Sequence, residues 1–239
     1  MPHRPRVYLN ERLEVGTCAA LPAANCKHLM TVLRMRSGAS LDLFNGDGKS
    51  YQSTLRVDGK KASATVDSIE PGPPTGEPIA LALGVSRGDR MDYALQKCTE
   101  LGVSRIVPLI TDRSNVKLAQ DRLPKKMQHW NNILISASEQ SGRCDLPELS
   151  VPIPFSALLE HEPAGFVLDP SSQQTLSGQR GGSAARCVLV GPESGLSADE
   201  LKQASNAGWH PASLGPLTLR TETAAVMAVA MLRVHDQLM

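Results

Sequence analysis

The spacing of apolar positions changes character once along this chain. Before residue 70, apolar and polar residues alternate in short runs: Val7–Leu9, Leu41–Phe44, Tyr51–Leu55 and Ala62–Val66. Alternation of this kind predicts strands with one buried face. Asn45-Gly-Asp-Gly48 and Asp58-Gly59 lie between the runs and predict hairpin turns. A short helix is expected from Cys26 to Leu33. These elements predict a small β-barrel.

Pro71 to Pro78 interrupts the pattern with four prolines and two glycines in eight residues. Such a segment continues neither a helix nor an interior strand. It predicts a first domain over 1–72, a linker over 73–78 and a second domain over 79–239.

Beyond the linker the pattern is that of buried strands and amphipathic helices in alternation. Ile79–Val85 is continuously apolar, as in a strand covered on both faces. A helix follows from Asp89 to Leu101, with Met91, Leu95 and Cys98 along one face and Gly102 as its stop. Ile106–Ile110 is the next strand. A long helix is expected over Leu123–Gln140, its buried stripe running through Met127, Trp130, Ile133, Leu134 and Ala137. Phe166–Asp169 and Cys187–Val190 are further strands, and Ser197-Ala-Asp-Glu200 is a capping box opening a helix that ends at Gly208. Gln173–Ala185, rich in Ser and Gly, is expected to be a mobile loop. Ala224–Leu232 is a helix apolar on every side. Strand and helix in alternation predict an α/β domain, a parallel sheet with helices on both faces.

Composition narrows the class. Among 239 residues, 41% are hydrophobic and only 3% aromatic, an ordinary globular core built on aliphatic side chains. No apolar run reaches the length of a membrane span, and no secretory signal is readable, so a cytoplasmic protein is expected. The five cysteines include no Cys-x-x-Cys pair and the histidines are scattered, so no metal site is expected. The net charge of +1 conceals an asymmetry. Residues 1–72 carry ten Lys/Arg against seven Asp/Glu, residues 87–143 ten against six, and residues 144–239 five against ten. A basic front of this kind permits a nucleic-acid face. Arg4, Arg6, Arg34, Arg36 and Arg90 are candidate phosphate contacts there, and Arg113 is a candidate for binding or orienting the nucleotide of an RNA.

The candidate chemistry lies at three strand ends: Leu168-Asp-Pro170, Val190-Gly-Pro-Glu-Ser-Gly195 and Leu214-Gly-Pro216. Ligands of open α/β sheets bind beyond the carboxyl ends of the strands. Neither G-x-G-x-x-G nor G-x-x-x-x-G-K-[ST] is present, so the pocket is not a standard phosphate cradle. The third loop runs into Leu219-Arg-Thr-Glu-Thr-Ala224, which puts Arg220 and Glu222 at the mouth of the apolar helix. Two readings stand for that stretch. Thr221 or Thr223 caps the helix and Glu222 favours its positive end, or the charged pair belongs to a site.

The strings His28–Arg34, Leu95–Gly102, Ser138-Glu-Gln-Ser-Gly-Arg143, Gly191-Pro-Glu-Ser-Gly195 and Leu219–Ala224 resemble, in order and spacing, the RsmE-type family of SPOUT methyltransferases. That family methylates uracil N3 in 16S ribosomal RNA of the small subunit. The resemblance implies a PUA-like RNA-binding barrel followed by a SPOUT domain with a C-terminal trefoil knot. It implies S-adenosylmethionine as cofactor, held by Leu168, Asp169, Gly191, Pro192, Glu193, Gly195, Leu214, Gly215, Leu219, Thr221 and Thr223. Arg220, Glu222, Glu139 and Arg143 become the candidate catalytic residues, with Arg220 stabilising a uracil anion and Glu222 serving as base or as the residue that holds Arg220. It also implies a homodimer acting on 16S rRNA, within the assembled subunit. The sequence departs from the family pattern at Ser194, where a second glycine is usual. Alternatives are the same scaffold acting on another RNA base, and an RNA-binding or ribosome-assembly module without activity.

Overall fold

A computed structural model describes residues 4–114, 121–178 and 186–237. Its contacts divide the chain into two units. The first comprises Met1–Pro74 with Ile135–Leu146, and the second Thr75–Leu134 with Pro147–Met239. A single cut near the proline-rich segment does not describe this division, because Ile135–Leu146 packs within the first unit.

The first unit is built on β1 (Arg6–Tyr8), β2 (Cys18–Ala20), β3 (Ser40–Phe44), β4 (Lys49–Asp58) and β5 (Lys61–Pro71), in the order β1-β3-β4-β5-β2. The β character read from the sequence takes the form of a curled half-barrel, with β1 and β2 at its edges. The β4–β5 hairpin turns on Gly59, whose φ of +59° suits the first central position of a two-residue turn. Alternation puts Leu41, Leu43, Tyr51, Leu55, Ala64 and Val66 into one core. The expected helix near Cys26 is α1 (Ala23–Lys27), continued by a π-helical turn over His28–Val32. Strand β2 was not expected, since Cys18-Ala-Ala20 has weak strand propensity; pairing with β5 forms it.

The second unit contains β6 (Ala80–Gly84), β7 (Arg105–Ile110), β8 (Glu148–Leu149), β9 (Ile153–Pro154), β10 (Phe166–Leu168), β11 (Cys187–Val190) and β12 (His210–Ala212). All pair in parallel, in the order β12-β10-β11-β6-β7-β8, with β9 also on β7. The helices are α2 (Gly88–Glu100), α3 (Leu123–Ser141, whose end lies in the first unit), α4 (Phe155–His161), α5 (Ala198–Asn206) and α6 (Thr221–Gln237).

The continuous apolar run of β6 is explained by cores on both faces. Leu81 and Leu83 join Met91, Leu95, Trp130 and Val229 in one, whereas Ala82 joins Val107, Phe155 and Trp209 in the other. Strand β12 was not expected either. It is an edge strand of three residues that tolerates Pro211.

The segment expected to be a mobile loop begins with structure. Thr175 bridges to Ser213, and Leu176, only 4% exposed, opens a 3₁₀ turn. The remainder of that segment, residues 179–185, lies outside the described residues. So do residues 115–120, which follow Ser114. The helix read as apolar all round is α6. Ala225, Ala228 and Val229 are buried, but Met227 and Val234 are 43% and 54% exposed.

Candidate active site

The parallel sheet brings the carboxyl ends of β10, β11 and β12 to one edge, and the three loops read from the sequence meet there. Asp169 N–H donates to Ala212 O (3.0 Å), and Ser172 Oγ donates to Pro211 O (3.0 Å), so the loop after β10 is tied to strand β12. Asp169 Oδ1 accepts from the N–H and hydroxyl of Ser171 at 2.9 and 2.8 Å, which fixes the first turn after the strand.

The loop after β11 is a tight turn closed by Gly195 N–H to Pro192 O (2.8 Å). Gly195, at φ +69°, supplies the left-handed residue. Arg34 is the only non-glycine residue with positive φ among those described. Ser194 therefore carries no such strain, and the family's usual glycine is not needed for this turn. The loop also crosses the end of β6. A Cβ on Gly84 would sit against Pro192 N, 2.6 Å from Pro192 Cδ and 2.8 Å from Gly191 C. Sequence reading missed Gly84; its signal was a glycine at the carboxyl end of an apolar strand.

These loops and the first residues of α6 enclose a cavity of about 550 Å³. Of the residues singled out from the sequence, Leu168, Asp169, Gly191, Pro192, Glu193, Gly195, Leu219, Arg220, Thr221, Arg90 and Arg113 line it. Leu214 and Gly215 line a smaller adjoining cavity that shares Leu168, Asp169 and Leu219. Leu196 and Leu201 add apolar wall; Leu201 was not singled out, although its position just inside the capping-box helix was a usable signal.

Arg220 is exposed at the rim, and its carbonyl accepts the Ala224 N–H (2.8 Å) as α6 begins. Glu222 and Thr223 do not line the cavity. Thr223 is exposed, and Glu222 is half-buried in the first turn of α6, where the helix dipole favours a carboxylate.

Glu193 accepts the Arg87 N–H (3.0 Å) and lies 3.6 Å from Arg90. Burial pushes its carboxyl up, but the Arg87 N–H and the Arg90 guanidinium outweigh that and hold it below its ordinary value. Arg113 Nη1 donates to Ser194 O (3.3 Å). Among the described residues no group of three or more His, Cys, Asp or Glu is placed to hold a metal ion.

The other candidates belong to the first unit. Glu139 Oε1 accepts from Tyr8 N–H (3.0 Å) and Asn25 Nδ2 (3.2 Å). Burial raises the Glu139 carboxyl above its ordinary value despite these bonds. Arg143, 4% exposed, is paired with Asp145 at 2.7 Å. Arg6 donates to Arg143 O and Cys144 Sγ, both at 3.1 Å, and lies over the Phe44 ring. Arg4 stands 3.6 Å from Asp42. Arg34 and Arg36 are exposed. Thus the cavity gathers most of the loop residues, Arg90 and Arg113, and it does not gather Glu139 or Arg143.

Comparison with known proteins agrees with this geometry. A family model described as an RNA methyltransferase domain matches residues 73–233, and one described as an RNA methyltransferase PUA domain matches residues 21–67. A protein of Legionella pneumophila, solved in complex with the cofactor SAM, superposes with a TM-score of 0.91 at 35% identity, over 98% of both chains. Ribosomal RNA small subunit methyltransferase E of Neisseria gonorrhoeae, bound to S-adenosyl methionine, gives 0.89 at 36% identity and the same coverage. The protein of that name from Rickettsia conorii is 30% identical over 95% of this chain and 94% of its own. Fold and cavity thus define an RNA methyltransferase. Within that class the chain belongs to the ribosomal RNA small subunit methyltransferase E family, the RsmE type.

Proposed function

We propose that this protein transfers a methyl group from S-adenosylmethionine to N3 of a uridine in 16S ribosomal RNA. The observation that carries the reading is the cavity at the ends of β10, β11 and β12, rimmed by Arg220 and the start of α6. Its volume suits a cofactor of nucleoside size. The residues fit such a group. Leu168, Leu196, Leu201 and Leu219 give apolar wall, and Gly191 lets the loop close on itself at that wall, since a Cβ there would lie 3.0 Å from Leu196 N and 3.1 Å from Leu196 Cγ. Leu214 and Gly215 extend the wall from the adjoining cavity.

When bound, S-adenosylmethionine supplies a methyl on a positively charged sulfur, so the S–C bond breaks as the N3–C bond forms. The residues around it bind and orient. Arg220 stabilises the negative charge that gathers on uracil as the N3 proton passes to water. Backbone N–H groups in the first turn of α6 reinforce that field. Arg90 and Arg113 meet the RNA at the cavity wall, and exposed Arg34 and Arg36 of the PUA-like unit meet its phosphates.

Two finer features belong to the same reading. Helix α6 packs on α2 and against β6 and β11, so the chain recrosses β10 after edge strand β12, which supports the trefoil knot. Exposed Leu217, Met227, Val234 and Tyr93 of α2 support a homodimer. No helix among the described residues is long and apolar enough to cross a membrane.

The test offers labelled S-adenosylmethionine with small subunits from a strain lacking the enzyme, then maps the product by mass spectrometry. The expected result is one N3-methyluridine, lost in Arg220→Ala while cofactor binding and melting temperature persist. Label on another base overturns the substrate. Absence of both transfer and cofactor binding overturns the enzyme.

A further inference from the structure

Glu200 is 2% exposed, and both of its carboxylate oxygens are used by loops on different strands. Oε2 accepts the Ser197 N–H (2.7 Å), which is half of the capping box of α5. Oε1 accepts the N–H of Asp112 (2.9 Å), from the loop after β7. The ring is closed by Ser197 Oγ, which accepts the Glu200 N–H (3.1 Å) and donates to Asp112 Oδ2 (2.9 Å). Strands β7 and β11 are not neighbours, since β6 lies between them. The ring therefore spans the end of β6, where Gly84 lets the β11 loop pass. The residue after Asp112 is Arg113, whose guanidinium reaches Ser194 O in that same loop.

A capping box needs only one acceptor from its third residue. Here the second oxygen anchors the loop that carries Arg113. We infer that Glu200 is a positioning residue for RNA recognition: it holds Arg113 at the wall of the methyl-transfer cavity. This rests on the reading of Arg113 as an RNA contact.

Glu200→Gln separates the two duties. Glutamine is an accepted partner in a capping box, so its oxygen retains the Ser197 bond. Its NH₂ then faces Asp112 N–H, and the loop loses its buried, charge-assisted acceptor. The expected result is a KM for small subunits raised about tenfold, the scale of losing one such bond. Cofactor affinity by calorimetry stays within about twofold, because the cap is kept. Asp112→Ala, on the exposed side of the ring, gives a smaller shift in the same direction and guards against a folding defect in the first variant.

The decisive measurement adds Arg113→Ala. If Glu200 acts through Arg113, Glu200→Gln adds nothing to KM in the Arg113→Ala background. Full additivity overturns the inference. So does an unchanged KM in Glu200→Gln when Arg113→Ala alone raises it. An Arg113→Ala variant with wild-type KM overturns the reading of Arg113 as an RNA contact.

Discussion

Gly84→Ala is the sharpest probe of how the loop after β11, proposed here to hold the cofactor, is seated. Gly84 is not at positive φ, so alanine is conformationally permitted, and the loss of chain entropy on folding is reduced by about 0.4–1 kcal/mol. The new methyl nonetheless lands 2.6 Å from Pro192 Cδ and 2.8 Å from Gly191 C, where ordinary contact begins at 3.4 Å. The obstacle is a proline ring and backbone rather than the end of a flexible side chain. Either the loop or β6 must yield by roughly 1 Å, and overpacking of this kind costs about 1–3 kcal/mol. Since β6 is held in the middle of the sheet between β11 and β7, the loop is the part that moves. Paid by the loop, that strain weakens S-adenosylmethionine by about tenfold to a hundredfold. Calorimetric titration of cofactor, with a thermal melt of the apo protein, reads both terms. Gly88→Ala is the control: nothing lies within 4 Å of its added Cβ, and its φ is not positive. A Gly84→Ala protein that binds cofactor within twofold of wild type would refute the claim that close approach of this loop to β6 shapes the site.

Other outcomes follow from the same geometry. Gly195→Ala puts a side chain at φ +69°, so it should cost about 1–2 kcal/mol and loosen cofactor binding, read by melt and calorimetry. Ser194→Gly relieves no strain and should leave the cofactor Kd within about twofold. Glu139→Gln keeps the single oxygen that accepts from Tyr8 and Asn25. Because burial raises the Glu139 carboxyl, its stability contribution is full below the ordinary value of 4.5 and is lost as pH rises through the raised value. The variant should thus be at least as stable as wild type at pH 7, and loss of methyl transfer with folding intact would instead give Glu139 a direct role. In native protein one thiol, Cys18, should react rapidly with a colorimetric reagent at pH 8. The other four are buried, and burial pushes the Cys187 thiol up to about 12, with Glu162 adding to it. Two fast thiols in a folded sample would contradict that packing.

Much of the second unit was legible because its signals are local. The run Ile79–Val85, the stripe Met91–Leu95–Cys98 ended by Gly102, and the Ser197–Glu200 capping box each fix an element through near neighbours. The glycine- and proline-bearing loops were legible as neighbours around one cavity edge because parallel strands put their carboxyl ends on one edge. Short strands were not legible. Cys18–Ala20 and His210–Ala212 have little propensity of their own and are strands only because β5 and β10 offer partners.

Side-chain employment depended on tertiary structure most of all. Glu139 and Arg143 have the residue types of a catalytic pair, yet partners far away in sequence or close beside them decide how they are used: Tyr8, Asn25 and Asp145. Glu200 is a plain capping residue by spacing, and only the return of β7 beside β6 brings Asp112 within 2.9 Å of its free oxygen. Sequence periodicity specifies which face of an element avoids water. It carries no information on which distant donor meets a given carboxylate, because that is set by strand order.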